Sequence, residues 1–260
     1  MKIIALGIDQ GIASSGYGLV EITINNENKI LNIKPLNFGV ITTSSKKTMS
    51  NRSKFIVNHI ETLINDYNPQ IIGCEKLFFT QKRVGGRNKS ASMLYTNMAT
   101  GLLYYISGEN NIPLQEFVPG SIKKLIAGKG NANKEEMIEA ISNTLKINLK
   151  EVNNEHMADA LSIAIASGYY YLENKEKVKA TKYCIENDID ISTIDMDKLE
   201  TPLNKQENEM FKNMVLINNN IEKDSKNLMS ITGLKKREIN SLTKKVKTGL
   251  FYEYSVRSKK

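Results

Sequence analysis

Four polar residues of this 260-residue chain lie at the boundaries of short apolar segments. Asp9 and Glu75 each close an apolar run that is typical of a buried strand. His156 and Asp159 stand three apart at the start of an apolar helical segment, so they share one helix face. Carboxylates with an imidazole suit Mg²⁺ or Mn²⁺, and two such ions can drive phosphodiester hydrolysis. If the two strands are neighbours, the pattern predicts a metal-dependent hydrolytic site.

Each of these residues also has a simpler interpretation. An Asp after a strand often forms a turn, and this applies to Asp9. An acidic residue in the first turn of a helix is stabilised by the helix dipole, which applies to Asp159. Glu155 lies four residues before Asp159 and shares its helix face, so it competes with His156 as the fourth ligand.

The elements that must position these residues form a mixed α/β pattern. Three antiparallel strands open the chain, and two further strands alternate with amphipathic helices in the order βββ-α-β-α-β-α-α. The expected fold is therefore a five-stranded mixed sheet flanked by helices. The predicted strands cover 3–9, 16–22, 29–42, 71–75 and 114–118, and the predicted helices cover 50–67, 91–106, 134–145 and 156–172.

Charge divides the chain into three parts. The net charge is +7 over residues 1–150, -6 over 151–200 and +7 over 201–260. Together with Pro202 this predicts a first domain at 1–172, an acidic linker at 173–203 and a basic helical region at 204–260. Residues 232–239 resemble the turn and second helix of a helix-turn-helix, a pattern that many small helical bundles share.

Overall composition favours a nucleic-acid partner and no membrane. The net charge of +8 favours a polyanion, because Lys and Arg release counterions from nucleic acid. No apolar run approaches the roughly 18 residues that a membrane span needs. Cys74 and Cys184 are too few and too far apart for a disulfide framework, which fits a reducing cytoplasm.

Four motifs in register carry a resemblance to a known family. They are GIDQG at 7–11 with SGYG at 15–18, EKLFF at 75–79, GKGNANK at 128–134 and HMADAL at 156–161. Together they are similar to the RuvC family of Holliday junction resolvases, over roughly residues 1–172. The resemblance implies a ribonuclease H-like fold and a homodimer that makes paired nicks in branched DNA during recombination and repair. It implies Mg²⁺ or Mn²⁺ as cofactor, two ions per site.

The resemblance also implies roles for particular residues. Asp9, Glu75 and Asp159 fall on acidic metal ligands, and His156 falls on a fourth position that holds Asp or His. Phe78 falls on an aromatic wedge near the branch point of the junction. The loop 80–90 is longer and more basic than the family pattern, which predicts a phosphate-gripping element. The basic residues expected to contact DNA are Lys82, Arg83, Arg87, Lys89, Lys123 and Lys134.

Structural explanations for single residues and two alternative functions for the whole chain remain open. Phe78 can belong to the core, and Lys123 and Lys134 can be solvated helix charges. An actin-like ATPase would use the hairpin after Asp9 for phosphate, but a second Asp-x-Gly loop is not found in place. A junction-binding protein without catalysis would keep the fold and not cut. The basic C-terminal region is expected to contact DNA or a protein partner. The expected location is the cytoplasm of a bacterial or phage-infected cell, and forks or flaps are expected as further substrates of the enzyme.

Overall fold

A computed structural model describes residues 1–27, 29–77, 89–148, 150–152 and 154–260, with the backbone alone for 89–92. The described chain divides into two compact units, residues 1–173 and residues 174–260. No helix in these described ranges is long and apolar enough to cross a membrane.

The first unit contains the predicted five-stranded mixed sheet, and this prediction is confirmed. The sheet order is β3-β2-β1-β4-β5, in which β1 to β3 are antiparallel and β4 and β5 run parallel to β1. The strands are β1 Lys2–Asp9, β2 Ser14–Ile24, β3 Ile30–Thr42, β4 Ile71–Glu75 and β5 Leu114–Phe117. The helices are α1 Met49–Tyr67, α2 Lys89–Asn110, α3 Pro119–Ala127, α4 Lys134–Leu145 and α5 Glu155–Glu173.

One face of the sheet packs on α1 and α2 through a continuous aliphatic core. Ile8 and Leu19 from the strands are buried against Ile60 of α1 and Leu103 of α2. The alternation of strand side chains places these residues on one face and their neighbours on the other. This core holds the ends of β1 and β4 in place relative to each other.

The other face of the sheet is covered by α5, which lies unusually close to the backbone of β1 and β2. A Cβ added to Gly7 would lie 2.2 Å from the carbonyl oxygen of Ala160, and one added to Gly16 would lie 1.9 Å from that of His156. Only glycine permits this approach. The motif glycines therefore set the position of α5, and with it the position of His156.

The structure adds one helix to the predicted order. α3 spans nine residues after β5, with Pro119 at its start and Gly128 in the left-handed conformation at its end. Proline is favoured in the first turn, and glycine is favoured after the last. The predicted order lacks α3 because a helix of nine residues shows little apolar periodicity. The buried residue of this helix is Ile122.

The second unit is entirely helical. Residues 175–187, which lie within the segment predicted as an acidic linker, form a helix. The ring of Tyr183 on this helix lies 4.9 Å, centroid to centroid, from the ring of Tyr252. The role of 173–203 as a linker stays a prediction, whereas the helical C-terminal region is confirmed. The elements are α6 Lys175–Asn187, a 3-10 turn Ile191–Thr193, α7 Lys205–Asn218, α8 Ser225–Thr232, α9 Lys236–Val246 and α10 Gly249–Arg257.

Candidate active site

Asp9 and Glu75 lie side by side at one edge of the sheet. β1 and β4 are parallel neighbours, and their register pairs Ile8 with Cys74. Each carboxylate is the last residue of its strand, one position beyond that pair. The sequence reading made convergence conditional on these strands being neighbours, and the sheet meets that condition.

α5 brings the other two predicted residues to the same edge. Its first turn is stabilised by Asn154, whose side-chain oxygen accepts a hydrogen bond from the backbone N–H of His156 at 2.8 Å. The His156 Nδ1 then lies 2.5 Å from Asp9 Oδ2, across 147 residues of sequence. Asp159, one turn further along, is within electrostatic range of Asp9. The structure therefore brings all four predicted site residues to one edge of the sheet.

Burial, together with nearby carboxylates, disfavours the ionised form of all three carboxyl groups. Burial raises the pKa of Glu75 from 4.5 to about 7, and the charges of Asp9 and Asp159 add to this rise. Burial raises the pKa of Asp159 from 3.8 to about 6, again with a contribution from Asp9. The pKa of Asp9 is also raised by burial, although its contact with His156 opposes the rise. A nearby positive charge would favour the ionised form of these carboxyl groups, and such clusters of shifted pKa values are typical of functional sites.

Glu155, the rival for the fourth position, faces a different partner. Its carboxylate forms an ion pair with Lys134, and this hydrogen bond holds the pKa of Glu155 below its ordinary value. Since Asp9 is contacted by His156 and not by Glu155, the described geometry favours His156 as the fourth member.

Gln10 is a residue of the site that the sequence reading missed. It is 6% exposed, and its amide makes two hydrogen bonds to the backbone of Glu75. Gln10 Nε2 donates to the Glu75 carbonyl at 2.7 Å, and the Glu75 N–H donates to Gln10 Oε1 at 3.1 Å. The Gln10 side chain thus continues the hydrogen bonding between β1 and β4 beyond their last paired residues, up to Glu75. Nothing in the sequence distinguishes it from an ordinary turn residue.

The predicted DNA-contacting residues divide into those the structure describes and those it does not. Lys123 Nζ donates to the carbonyl of Ala132 at 2.8 Å, and its charge lowers the pKa of Glu75 and Asp159. The Lys134 side chain is 72% exposed and paired with Glu155. The backbone of Lys89 begins α2, but its side chain is not described. Phe78, Lys82, Arg83 and Arg87 lie outside the described residues.

The donor set suits a hard divalent cation in chemistry and in charge. Three carboxylates and one imidazole match the ligands that Mg²⁺ and Mn²⁺ accept. In the part of the chain that the structure describes, no three His, Cys, Asp or Glu side chains surround a common point closely enough to hold an ion as they stand. Ligation of one ion by three of these side chains would therefore require them to move closer together.

The sheet order and the helices on both faces of the sheet define a ribonuclease H-like fold. Two solved structures share it. The structure titled "T. thermophilus RuvC in complex with Holliday junction substrate" has a TM-score of 0.56 at 24% identity, covering 66% of this chain and 96% of that one. The second, titled "Thermus thermophilus RuvC structure", has a TM-score of 0.51 at 24% identity, covering 65% of this chain and 95% of that one.

Sequence relatives identify the family within this fold. Residues 5–167 match the family described as crossover junction endodeoxyribonuclease RuvC. A protein of that name from Prochlorococcus marinus is 35% identical over 147 residues, which is 56% of this chain and 83% of the relative. Another from Clostridioides difficile is 30% identical over 146 residues, 56% of this chain and 78% of the relative. The chain belongs to the RuvC family of endodeoxyribonucleases, which rules against the ATPase reading.

Proposed function

We propose that this protein is a Mg²⁺- or Mn²⁺-dependent endonuclease that resolves Holliday junctions and other branched DNA by paired phosphodiester hydrolysis. The observation that carries the proposal is the convergence of Asp9, Glu75 and Asp159, whose pKa values are raised by burial and, for Glu75 and Asp159, by the charge of Asp9. A site of this charge holds cations, and a phosphodiester can approach it only when cations are present. Family membership supplies DNA as the substrate class.

The roles proposed for the residues follow from their positions. Asp9, Glu75, Asp159 and His156 would hold the ions, which when bound activate water and stabilise the charge on the leaving 3′ oxygen. Gln10 holds the backbone of Glu75 against the end of β1, so that this carboxylate stays beside Asp9.

Lys123 is proposed to act on the phosphate from beside the cluster. The positive charge of Lys123 lowers the pKa of both Glu75 and Asp159. The hydrogen bond from Lys123 to the carbonyl of Ala132 keeps the ammonium close to these carboxylates. A positive charge at that place favours the extra negative charge that a phosphodiester develops as water attacks. Lys123→Met should therefore lower the rate of nicking at saturating junction by about 10² to 10³-fold.

The decisive experiment compares labelled DNA substrates. The purified protein is incubated with a four-way junction, a fork and plain duplex, in Mg²⁺, in Mn²⁺ and in EDTA, beside Asp9→Asn. We expect nicking of branched DNA in either metal and none in EDTA or with the variant. Tight junction binding without nicking in any metal would instead favour the non-catalytic alternative. Equal cutting by Asp9→Asn would overturn the proposed site.

His156 and Glu155 give a matched pair of variants. His156→Ala removes the contact with Asp9, whereas Glu155→Ala removes a surface ion pair with Lys134. We expect the first to lose nicking while junction binding survives, and the second to retain nicking within about threefold, because exposed ion pairs contribute little. Full activity of His156→Ala with loss in Glu155→Ala would assign the fourth ligand to Glu155.

We also propose a homodimer formed through α2. No charged residue occurs from 90 to 108, which covers most of this helix. Leu94, Met98 and Tyr105 are 62%, 44% and 55% exposed, and they repeat at helical spacing around the exposed Gly101. An exposed apolar stripe of this kind marks a protein contact surface. Two copies would supply the two active sites that paired nicks require.

Light scattering after size exclusion tests the dimer. The wild-type protein should have twice the 29.3 kDa mass of the chain. Met98→Glu should give the monomer, whereas Leu31→Glu, at a residue 63% exposed on β3, should leave the dimer intact. A dimeric Met98→Glu, or a monomeric wild type at micromolar concentration, would contradict this interface. The free Cys74 and Cys184 are consistent with action in a reducing cytoplasm.

A further inference from the structure

The second unit contains a tight helix-turn-helix that the nuclease site does not use. α8 and α9 are separated by residues 233–235 alone. Gly233 adopts the left-handed conformation, with φ 70°, and its N–H donates to the carbonyl of Met229 at 2.9 Å. The N–H of Lys235 donates to Glu238 Oε2 at 2.8 Å, which begins α9 at once. A glycine of this kind is what a three-residue turn between two packed helices requires.

Buried aliphatic side chains determine which face of α9 points inward. Ile239, Leu242 and Val246 recur at helical spacing and are 1%, 8% and 5% exposed. Leu242 and Val246 belong to one apolar cluster with Met214 and Ile217 of α7, and Leu234 of the turn packs against it. Tyr254 of α10 belongs to the same cluster, so α7, α9 and α10 form a small core around the buried face of α9.

The outward face of α9 is polar and basic. Residues 225–247 contain seven Lys and Arg residues and a single acidic residue, Glu238, whose carboxylate is engaged at the start of the helix. None of the basic residues on this face forms an ion pair within residues 174–260, all of which the structure describes. The exposed residues of the face are Lys236, Arg237, Asn240, Ser241 and Lys244.

We propose that α8, the turn and α9 form a DNA-binding helix-turn-helix, with the outward face of α9 entering the major groove of duplex DNA. This binding site is separate from the catalytic edge and goes beyond the proposed function. The 11-residue helix is about 16 Å long, and the major groove is about 12 Å wide. Arg237, Asn240 and Ser241 carry the donors and acceptors that read base edges, while Lys236 and Lys244 can reach phosphates.

The composition of the face favours duplex DNA over other polyanions. A single-stranded nucleic acid is held by aromatic side chains on which bases stack, and a membrane surface is held by an apolar stripe beside the charges. Between 235 and 247 every exposed side chain is charged, amide or hydroxyl. The nuclease would therefore hold a duplex arm through this unit while the first unit acts on the branch.

Duplex binding by the full-length protein tests the proposal. Fluorescence anisotropy with a plain duplex of about 30 base pairs, in EDTA and over a series of salt concentrations, compares two triple variants of equal charge change. The first is Lys236→Ala, Arg237→Ala and Lys244→Ala on α9. The second removes the exposed Lys205, Lys212 and Lys259 of the same unit, which lie off this face.

The α9 triple variant should bind duplex at least tenfold more weakly, and its log-log salt slope should fall by about 2 to 3, because about 0.9 is lost per phosphate contact. The control triple should stay within about threefold. Equal losses in both variants, or an unchanged slope in the first, would overturn the proposal. Nicking at saturating junction should persist in the α9 variant, so failure here is distinguishable from failure of the proposed nuclease.

Discussion

The carboxylate edge of the sheet and the outward face of α9 carry charged groups of opposite sign in different surroundings. At the edge, Glu75 and Asp159 are partly buried, and burial together with the charge of Asp9 raises their pKa values. On α9, Lys236 and Lys244 are exposed, and the one acidic side chain of this helix, that of Glu238, accepts a hydrogen bond from the backbone N–H of Lys235. Under the proposed function, a bound cation would offset the negative charge of the first arrangement. The second leaves charge in water, ready for a polyanion.

Residues in the two regions are expected to differ in their sensitivity to small displacements. A face that binds by long-range charge tolerates movement of a side chain, because salt-screened attraction acts over about 8 to 10 Å. A site that must draw several carboxylates around one ion depends on the backbone to within fractions of an ångström. Substitutions at the edge should therefore reduce nicking while DNA binding is retained. Substitutions on α9 should weaken duplex binding while nicking at saturating junction is retained.

The largest effect is expected for Glu75→Gln. Removing this charge should reduce junction nicking by about 10³-fold or more while duplex affinity stays within about threefold of wild type. Glu116→Gln, on the neighbouring strand β5, makes the same change beside the site and should stay near wild-type activity. Single-turnover nicking on a labelled junction measures both variants. Equal losses would mean that charge near the edge matters and its position does not.

A backbone displacement at the edge should have the next largest effect. In Gly16→Ala the new Cβ would meet the His156 carbonyl at 1.9 Å, so the start of α5 must move. We expect a loss of about 1 to 3 kcal/mol of folding free energy and nicking reduced about 100-fold. Gly108→Ala in α2 meets nothing within 4 Å and should be neutral or slightly stabilising. Thermal unfolding and nicking assays distinguish the two, and similar behaviour would discount the close approach of α5.

Two glutamines at opposite ends of the β1 and β4 pair offer a sharper test. Gln10 hydrogen-bonds the backbone at Glu75, and Gln70 accepts from the N–H of Ile4 at 2.8 Å at the far end. Gln10→Ala and Gln70→Ala should each cost about 1 to 2 kcal/mol of stability. Only Gln10→Ala should lower nicking, by about tenfold, and raise the metal concentration needed for half activity. A matching loss in Gln70→Ala would make Gln10 a purely structural residue.

The smallest effect concerns stability and pH. The pKa of Glu75 is about 7 in the folded protein and 4.5 as its ordinary value, so its protonated form favours the folded state. This contribution is fully present below about pH 4.5 and is lost as the pH rises through about 7. In EDTA, wild type should lose about 2 to 4 °C more than Asp9→Asn between pH 5 and 8, by thermal unfolding. A larger loss in the variant would contradict the repulsion between Asp9 and Glu75.

Much of the first unit could be predicted because its signals are local. Apolar runs closed by Asp9 and Glu75 identify β1 and β4, and the i, i+3 spacing of His156 and Asp159 identifies one face of α5. The short helix α3 was missed because nine residues carry little periodicity. The turn at Gly233 was recognised as a motif, since a glycine between two amphipathic helices is visible in the sequence alone.

The residues that could do chemistry and the segments that carry them are predictable from the amino-acid sequence, because side-chain type and periodicity are properties of neighbouring residues. The fold selects the contact of His156 with Asp9, the ion pair of Glu155 with Lys134 and the hydrogen bonds of Gln10 to the backbone of Glu75. These choices depend on strand order and on the close approach of α5. They bring together residues more than 60 positions apart, or choose between adjacent side chains, and no local pattern encodes either.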